Sequence, residues 1–395
     1  MSAPSPTSAP SPTSGPSPWL GSEHEAFRRA LRTVVERELA PHADEWEEAG
    51  IFPREIYTLM GKLGYLGLRY SPDYGGAGLD FWYTLILAQE LVQCGSVGTA
   101  VGLLAHMEFA LSVIDARGTP EQKAEFLAPA IRGEKIASIG ITEPGAGSDV
   151  GAIRTTARRT GGDWVINGAK TFITNGTRAD FISLVARTGE SGPKGLSMII
   201  FPTDTKGFRV GKALRKMGSR ASDTAELFFD DCKVPLRNLV GEEGKGFGYI
   251  VDHFKGERLV ISAFALGVMD RLWQEGTRYA AERQLFGQPL GKFQAWRHRL
   301  ADVRTIIEAA RQLTYWACDR LNRDAPDASL AVSMAKLFTC EQVKHVANEI
   351  FQLHGGYGFI EEYPVCRLYR DVAAFTIGAG TSEIMREIIA REEQI

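Results

Sequence analysis

The chain has 395 residues, 44% of them hydrophobic and 24% charged, with a formal net charge of −3. That length holds two or three packed domains, and the small net charge gives no electrostatic basis for binding nucleic acid or an anionic membrane. Five scattered cysteines (Cys94, Cys232, Cys318, Cys340 and Cys366) with no C-x-x-C pair argue against a disulfide framework or a zinc site and for a reducing compartment. No stretch reads as the roughly 18–20 apolar residues of a membrane span, so no membrane insertion is expected. The first eighteen residues are a near-repeat of Pro, Ser, Thr and Ala that buries no apolar area, and a disordered tail is expected over 1–21. They lack the basic start and apolar run of a signal peptide and the arginines of a transit peptide, which points to a cytoplasmic protein.

From Ser22 the spacing turns helical. Phe27, Leu31, Val34, Val35 and Leu39 recur at three- and four-residue steps, predicting a helix that ends before Pro41. A second helix is predicted after Pro53, then a glycine loop at Tyr74 to Gly78, a helix over Thr84 to Val92, a buried apolar run over Gly95 to Ile114, and a short helix over about 120–132. Near Lys135 the texture changes. Ala137 to Ile141 reads as a strand, Trp164 to Gly168 as a strand entering a tight turn, and Thr171 to Thr174 as the strand leaving it. Phe181 to Ala186, Leu196 to Phe201, Phe208 to Val210 and Ala225 to Phe229 are further predicted strands. After Gly246 four long helices are predicted over roughly 247–281, 294–322, 328–353 and 366–393, a bundle. The fold class is therefore α+β: an N-terminal helical domain (22–136), a middle β domain (137–243) and a C-terminal helical bundle (244–395).

One residue breaks its pattern. Ile250, Phe254, Ile261 and Phe264 lie seven before, three before, four after and seven after Glu257, so its carboxylate falls within an apolar helical stripe. It is either an edge position that reaches solvent or pairs with Arg258, or a desolvated general base with a raised pKa. Thr142-Glu143-Pro144-Gly145-Ala146-Gly147-Ser148-Asp149 follows the strand at 137–141. It is a plain turn or a loop whose N–H groups approach a phosphate or ring edge, and it lacks the spacing of a Rossmann fingerprint. The clusters at 352–358 and 378–382 suit helix capping or anion binding at helix starts, and Thr381 and Ser382 are candidate N-caps. His354 reads as a packing histidine and Arg283 as a solvated helix-end charge or a phosphate contact.

Taken together, seven stretches in order carry a resemblance: TEPGAGSD (142–149), INGAKTFITNG (166–176), MGSRASDTAELFFDDCKVP (217–235), GEEGKGF (241–247), ERQLFGQPL (282–290), QLHGGYGF (352–359) and IGAGTSEIMRE (377–387). From about Ser22 to Ile395 the chain resembles the acyl-CoA dehydrogenase family, most closely its isovaleryl-CoA and long-chain types. The resemblance implies an N-terminal helical domain, a middle β-barrel-like domain, a C-terminal four-helix bundle, and FAD as cofactor. It implies that Ile139, Ile141, Thr142, Gly147 and Ser148 line the flavin ring, that Phe172, Ile173 and Thr174 cover its other edge, and that the Thr174 hydroxyl lies near N5. Phe172 stands where several relatives have tryptophan. Arg283, Phe286, Gln294, Gln352, Leu353, His354, Gly355 and Gly356 would hold the adenine half from an adjoining subunit. Thr381, Ser382 and Glu383 would meet the pyrophosphate region.

Many relatives carry their catalytic glutamate immediately before Gly-Thr in the C-terminal motif, where this chain has Ala379. The isovaleryl and long-chain types place it before an arginine on the first bundle helix, here Glu257-Arg258. The resemblance thus assigns Glu257 as general base, Ser148 and Arg258 to the CoA portion, and Gly378, Ala379 and Gly380 to the acyl group. It further implies an acyl-CoA substrate converted to a trans-2-enoyl-CoA, an electron-transfer flavoprotein as acceptor, a homotetramer, and branched or medium-to-long acyl chains. An oxidase or flavin monooxygenase on the same scaffold, or an inactive FAD-binding assembly protein, are the alternative readings.

Overall fold

The computed structural model describes residues 18–395; the expected tail lies outside them as far as residue 17. Residues 19 and 20 depart from that expectation. Leu20 is buried in the main core, and the Trp19 indole donates to Gln312 Oε1 at 3.0 Å with its ring 6.3 Å from Trp82. The chain is thus anchored two residues before its first helix.

Helix α1 (Ser22–Val34) continues through a π turn and a 3-10 turn into α2 (Ala43–Ala49). The helical path does not stop before Pro41, because proline sits in the first turn of the 3-10 segment, where its missing N–H costs no hydrogen bond. Then come α3 (Glu55–Lys62), α4 (Phe81–Leu91), α5 (Val97–Leu104) and α6 (Ser112–Arg117), with a π segment over Ala105–Ala110 between the last two. Side chains of Asp80 and Ser96 cap α4 and α5. The run Val97–Arg117 is, contrary to the sequence expectation, long and apolar enough to cross a membrane (21 residues, mean hydropathy 1.6), yet 89% of that window is buried inside the fold. Hydropathy alone does not separate a core helix from a span. Short helices α7 (Pro120–Gln122) and α8 (Ala128–Ile131) complete the first region.

The middle region holds β1 (Ala137–Gly140), β2 (Thr156–Thr160), β3 (Asp163–Thr174), β4 (Phe181–Arg187), β5 (Leu196–Pro202), β6 (Phe208–Ala213), β7 (Thr224–Pro235) and β8 (Leu239–Val240). Hydrogen bonds link them in the order β6-β7-β3-β2-β4-β5-β8, and β1 adds parallel to β4. Asn167-Gly168 is not the expected turn. β3 runs through it unbroken and shifts register against β7 twice, between Ile166 and Gly168 and between Lys170 and Ile173. A Cβ at Gly168 would stand 2.5 Å from Thr155 Oγ1, so the glycine serves close backbone approach at a bulge. The hairpin turn is Gly161-Gly162, joining β3 to β2, a strand that the sequence reading left out.

The last region is α9 (Gly246–Glu282), a two-strand hairpin of β9 (Gln284–Leu285) and β10 (Gln288–Pro289), α10 (Gln294–Asn322), α11 (Ala328–His354), α12 (Pro364–Asp371) and α13 (Ser382–Glu392). The fourth predicted long helix is two helices. Ala379 and Gly380 hold φ of +53° and +93°, outside the helical region, and Thr381 starts α13 afresh by accepting from Ile384 N–H at 3.3 Å. Helix α9 is buried against α4, α10 and α11 in the largest apolar cluster. Leu20→Ala is expected to lower the unfolding free energy by about 2–3 kcal/mol, while removal of residues 1–17 leaves the thermal midpoint unchanged; denaturant and thermal melts check both.

Candidate active site

Glu257 occupies the middle of α9's buried stripe. Ile250 and Ile261 are buried and Phe264 is completely so. The Glu257 side chain keeps 6% of its exposure, and its Oε1 has no hydrogen-bond partner among the described residues. Burial pushes the carboxyl up to about 8; Arg258 next to it pulls the other way, and the charge of Glu108 adds to the rise. The reading of Glu257 as a solvent-reaching edge residue is therefore set aside. Arg258 is buried too, with its Nε unpartnered and its guanidinium 5.5 Å from the Phe254 ring. Desolvation holds its pKa below the usual arginine value.

The loop between α12 and α13 arrives beside this pair. A Cβ placed on Gly380 would lie 3.8 Å from Arg258 Nε. Gly380 O accepts from Lys336 Nζ at 2.5 Å, and Lys336, on α11, is fully buried. The loop is held in a strained shape, since Ala379 is a non-glycine residue at positive φ, a state that costs of order 1–3 kcal/mol and persists where surroundings over-determine it. The Ala379 N–H has no acceptor among the described residues. A side chain on Gly378 would meet only Ala374 O, at 3.6 Å. Behind Thr381, the Ser382 hydroxyl is buried without a partner, whereas Glu383 faces solvent.

The β region meets α9 through an apolar seam in which Ile139, Ile141 and Phe254 share one cluster. Beyond Ile141 the chain turns tightly, with Glu143 and Ala146 exchanging backbone hydrogen bonds of 2.9 and 3.1 Å. A buried ion pair braces that turn. Lys170 Nζ donates to Glu143 Oε1 at 2.8 Å and to Ile141 O at 2.9 Å, and the same carboxylate accepts from Arg154 N–H and Thr155 N–H at 2.7 and 2.8 Å. Burial lowers the Lys170 pKa to about 8, against the pull of Glu143. The braced turn leaves Gly147 and Ser148 exposed, and nothing stands within 4 Å of a Cβ at Gly147. Thr142 and Thr174 are half-buried, and their hydroxyls have no hydrogen-bond partner among the described residues. Phe172 sits at φ +59° on the β3 bulge with 68% of its surface exposed, a large apolar ring held outward. Ile173, by contrast, packs into the sheet core and offers a ligand only its backbone.

The remaining predicted residues lie elsewhere. Arg283, Leu353, His354, Gly355 and Gly356 line a cavity of about 460 Å³ with Tyr279 and Tyr357. His354 packs as the sequence suggests: it is stacked on Tyr279 at 4.2 Å and its Nδ1 lies 2.8 Å from Ile350 O. Gln294, Gln352 and Phe286 are exposed outside that cavity, Phe286 at 90%. Arg283 caps α9 about 26 residues beyond Glu257, ~39 Å away at 1.5 Å per residue. Within one chain the predicted cofactor residues thus form two separate groups.

Lys170, Glu143 and Lys336 were not singled out from sequence. Lys336 carried the signal that flagged Glu257, a charge in an apolar stripe with Val332, Cys340 and Val343 four before, four after and seven after it. Lys170 gave less warning, because its partner lies 27 positions away on another segment.

The family profiles of the acyl-CoA dehydrogenase N-terminal, middle and C-terminal domains match residues 21–134, 138–232 and 244–393. Over 374 residues the chain is 39% identical to the mitochondrial long-chain specific acyl-CoA dehydrogenase of Mus musculus, covering 94% of this chain and 86% of that one. It is 41% identical over 373 residues to the short-chain specific acyl-CoA dehydrogenase of Clostridium acetobutylicum, covering 94% and 98%. A crystal structure of acyl-CoA dehydrogenase from Geobacillus kaustophilus superposes with a TM-score of 0.91 at 39% identity, covering 96% of this chain and all of the other.

Removing one partner of a buried ion pair strands the other charge. Lys170→Met is therefore expected to lower stability by about 3–5 kcal/mol in denaturant unfolding, and adding Glu143→Gln to recover part of that loss.

Proposed function

The chain belongs to the acyl-CoA dehydrogenase family of FAD-dependent oxidoreductases, and on that premise we propose that Glu257 is the general base that removes the α-proton of an acyl-CoA thioester on the way to a trans-2-enoyl-CoA. The single observation that carries this is a buried carboxylate with a partnerless oxygen, next in sequence to Arg258, whose Nε lies beside a strained loop. Such a group is a strong proton acceptor once ionised, because no hydrogen bond or solvent has to be given up. The position that holds the glutamate in other relatives is Ala379 here, which leaves Glu257 as the base.

The residues present fit FAD. Gly147 leaves its backbone open to close approach, Phe172 presents an exposed ring for stacking, and the Thr142 and Thr174 hydroxyls have no partner among the described residues. In this reading Ile139, Ile141, Thr142, Gly147, Ser148, Phe172, the Ile173 backbone and Thr174 hold the flavin end. Thr381 to Glu383, at the start of an 11-residue helix, face the pyrophosphate. FAD, when bound, would supply the two-electron acceptor for the hydride lost from the β-carbon. The free N–H of Ala379 receives the thioester oxygen as negative charge develops there. Ser148 is exposed and meets the CoA portion. Arg258 is buried and supports the 378–380 loop from beneath, so its role is positioning rather than contact with CoA.

The second residue group, Arg283, Phe286, Gln294 and Gln352 to Gly356, lies farther from Glu257 than an extended dinucleotide reaches. These residues serve the adenine half of FAD bound by a neighbouring copy, which makes the working unit a homo-oligomer, with a tetramer as the expected form. An electron-transfer flavoprotein is the electron acceptor in this reading.

For the acyl group, long-chain and short-chain relatives are similar to this chain at nearly equal identity, so pocket residues rather than overall likeness must decide. Gly378 and Ala379 remove bulk beside the reacting carbons, which favours methyl-branched acyl-CoAs.

Glu257→Gln is expected to keep FAD and bind acyl-CoA but to lose flavin reduction by several orders of magnitude in anaerobic stopped flow; near-wild-type rates would refute the assignment. In the wild type, kcat/KM should rise as pH increases through about 8, where burial places the Glu257 pKa, because the base works only as the carboxylate. Linkage gives the opposite sign for stability. The unfolded chain ionises first, near 4.5, so this residue's contribution falls between there and about 8. Gly378→Tyr is expected to lower kcat/KM for branched acyl-CoAs more than for butyryl- or hexanoyl-CoA, by roughly 1–3 kcal/mol. Equal losses on both classes would remove the branched-chain assignment.

A further inference from the structure

In the buried stripe of α11, Lys336 stands where its neighbours are apolar: Val332 four before it and Cys340 four after are completely buried. Its own side chain is among the largest that the fold encloses fully. An ammonium has three protons to donate and is costly to take out of water unless they are used. Among the described residues Lys336 forms no ion pair, and its one hydrogen bond goes to Gly380 O, at 2.5 Å. Desolvation holds its pKa below the usual lysine value, with Cys340 pulling the other way. A methionine of similar length would fill the same space without that cost. Packing therefore gives no reason for a lysine here, and the reason lies in what it holds.

It holds the segment between α12 and α13. Both ends of that segment are fixed by backbone hydrogen bonds, from Gly378 N–H to Ala374 O at 2.9 Å and from Ser382 N–H to Thr376 O at 3.0 Å. Between them the N–H groups of Ala379, Gly380 and Thr381 have no acceptor among the described residues. The bond from Lys336 is, among those residues, the one polar tether on the backbone of Ala379 or Gly380. Both hold positive φ, +53° and +93°, which glycine adopts freely and alanine does not. Untethered, Ala379 would relax toward negative φ and its peptide groups would reorient. A hydrogen bond from a charged donor is comparable in size to that strain, so a single ammonium decides the shape of the loop. The same loop reaches α9, since a Cβ on Gly380 would lie 3.8 Å from Arg258 Nε, one residue after Glu257.

We infer that Lys336 is a positioning residue for the proposed reaction: through Gly380 O it fixes the orientation of the Ala379 N–H, and so sets how well the charge developing on the thioester oxygen is received. It touches neither substrate nor cofactor. A donor already aimed where charge develops needs no reorganisation at the moment of reaction, and a displacement of about 1 Å at such a contact changes the rate by roughly 10²-fold.

The inference rests on the dehydrogenase reading above, and the test separates the two. Holoenzymes of the wild type, Lys336→Met, Lys336→Gln, Lys336→Arg, Ala379→Gly and the Lys336→Met/Ala379→Gly pair are compared. Flavin content, thermal midpoint and anaerobic flavin reduction by butyryl-, decanoyl- and isovaleryl-CoA are measured. Exchange of the α-proton into deuterated water is followed by NMR on 3-thiahexanoyl-CoA, whose β-position is sulfur, so that no hydride leaves. Lys336→Met should keep FAD and the wild-type midpoint and should lower the limiting reduction rate and the exchange rate together by roughly 10²-fold. The half-saturating thioester concentration should stay near its wild-type value. Lys336→Arg, which retains a charged donor, should recover most of the loss. Ala379→Gly relieves the strain, so adding Lys336→Met to it should cost clearly less than in the wild type. Rates are expressed per bound flavin, so partial unfolding cancels, and Lys336→Gln is read in the same way should Lys336→Met yield no holoenzyme. A wild-type rate in Lys336→Met, an equal loss in both Ala379 backgrounds, or a loss seen only as missing flavin, a lowered midpoint or failure of both neutral variants to fold overturns the inference and leaves the dehydrogenase reading intact. No reduction of the wild type by any of the three thioesters overturns both.

Discussion

Desolvation of one carboxylate is the constraint around which the rest of the site is arranged. Glu257 lies about a third of the way along a 37-residue helix whose surrounding faces are packed against α4, α10 and α11. Its Oε1 is closed to solvent and has no hydrogen-bond donor among the described residues, and ionising it is correspondingly hard. On an isolated helix this carboxylate would be solvated and ionised at neutral pH; only packing desolvates it. The fold tolerates it because the apolar cluster around α9 is large and the single buried acid is a minor fraction of it. The resulting proton affinity near neutral pH is the property that a base acting on a weakly acidic C–H requires.

Two buried lysines do for the neighbouring loops what packing does for the carboxylate. Lys336 grips Gly380 O and so fixes a loop in which Ala379 is strained. Lys170 grips Ile141 O and the Glu143 carboxylate and so fixes the turn before Gly147. Each is a charge spent inside the protein on a backbone carbonyl, and each lies under a segment whose outer surface is open. Rigid support beneath and exposed backbone above is the arrangement that lets a loop meet a ligand without reorganising.

The distance along α9 separates chemistry from assembly. Glu257 and the loop around Ala379 lie near its first third, whereas Arg283 and the 353–356 turn gather at its far end around a separate cavity. A helix that long cannot bring both ends to one cofactor, and the proposed function therefore assigns the far group to another copy.

Much was legible in the sequence. The order of helical, β and helical regions follows from the switch of apolar period, and Glu257 stood out as a charge at positions where α9 repeats Ile and Phe. Both are local patterns; the stripe that flags Glu257 is carried by residues within seven positions of it. The remainder depended on what distant segments do to one another. Periodicity could not tell the buried run at Val97–Arg117 from a membrane span, because only its neighbours decide that. Nor could it show that Asn167-Gly168 is a bulge set by Thr155 rather than a turn, or that the last predicted helix breaks at Ala379. Whether Glu257 reached solvent, and which residues lay beneath the loops, depended on Lys336 being 79 positions from it and Glu143 being 27 positions from Lys170. Burial and pairing are properties of contacts between chain segments, and those exist only once the chain has packed.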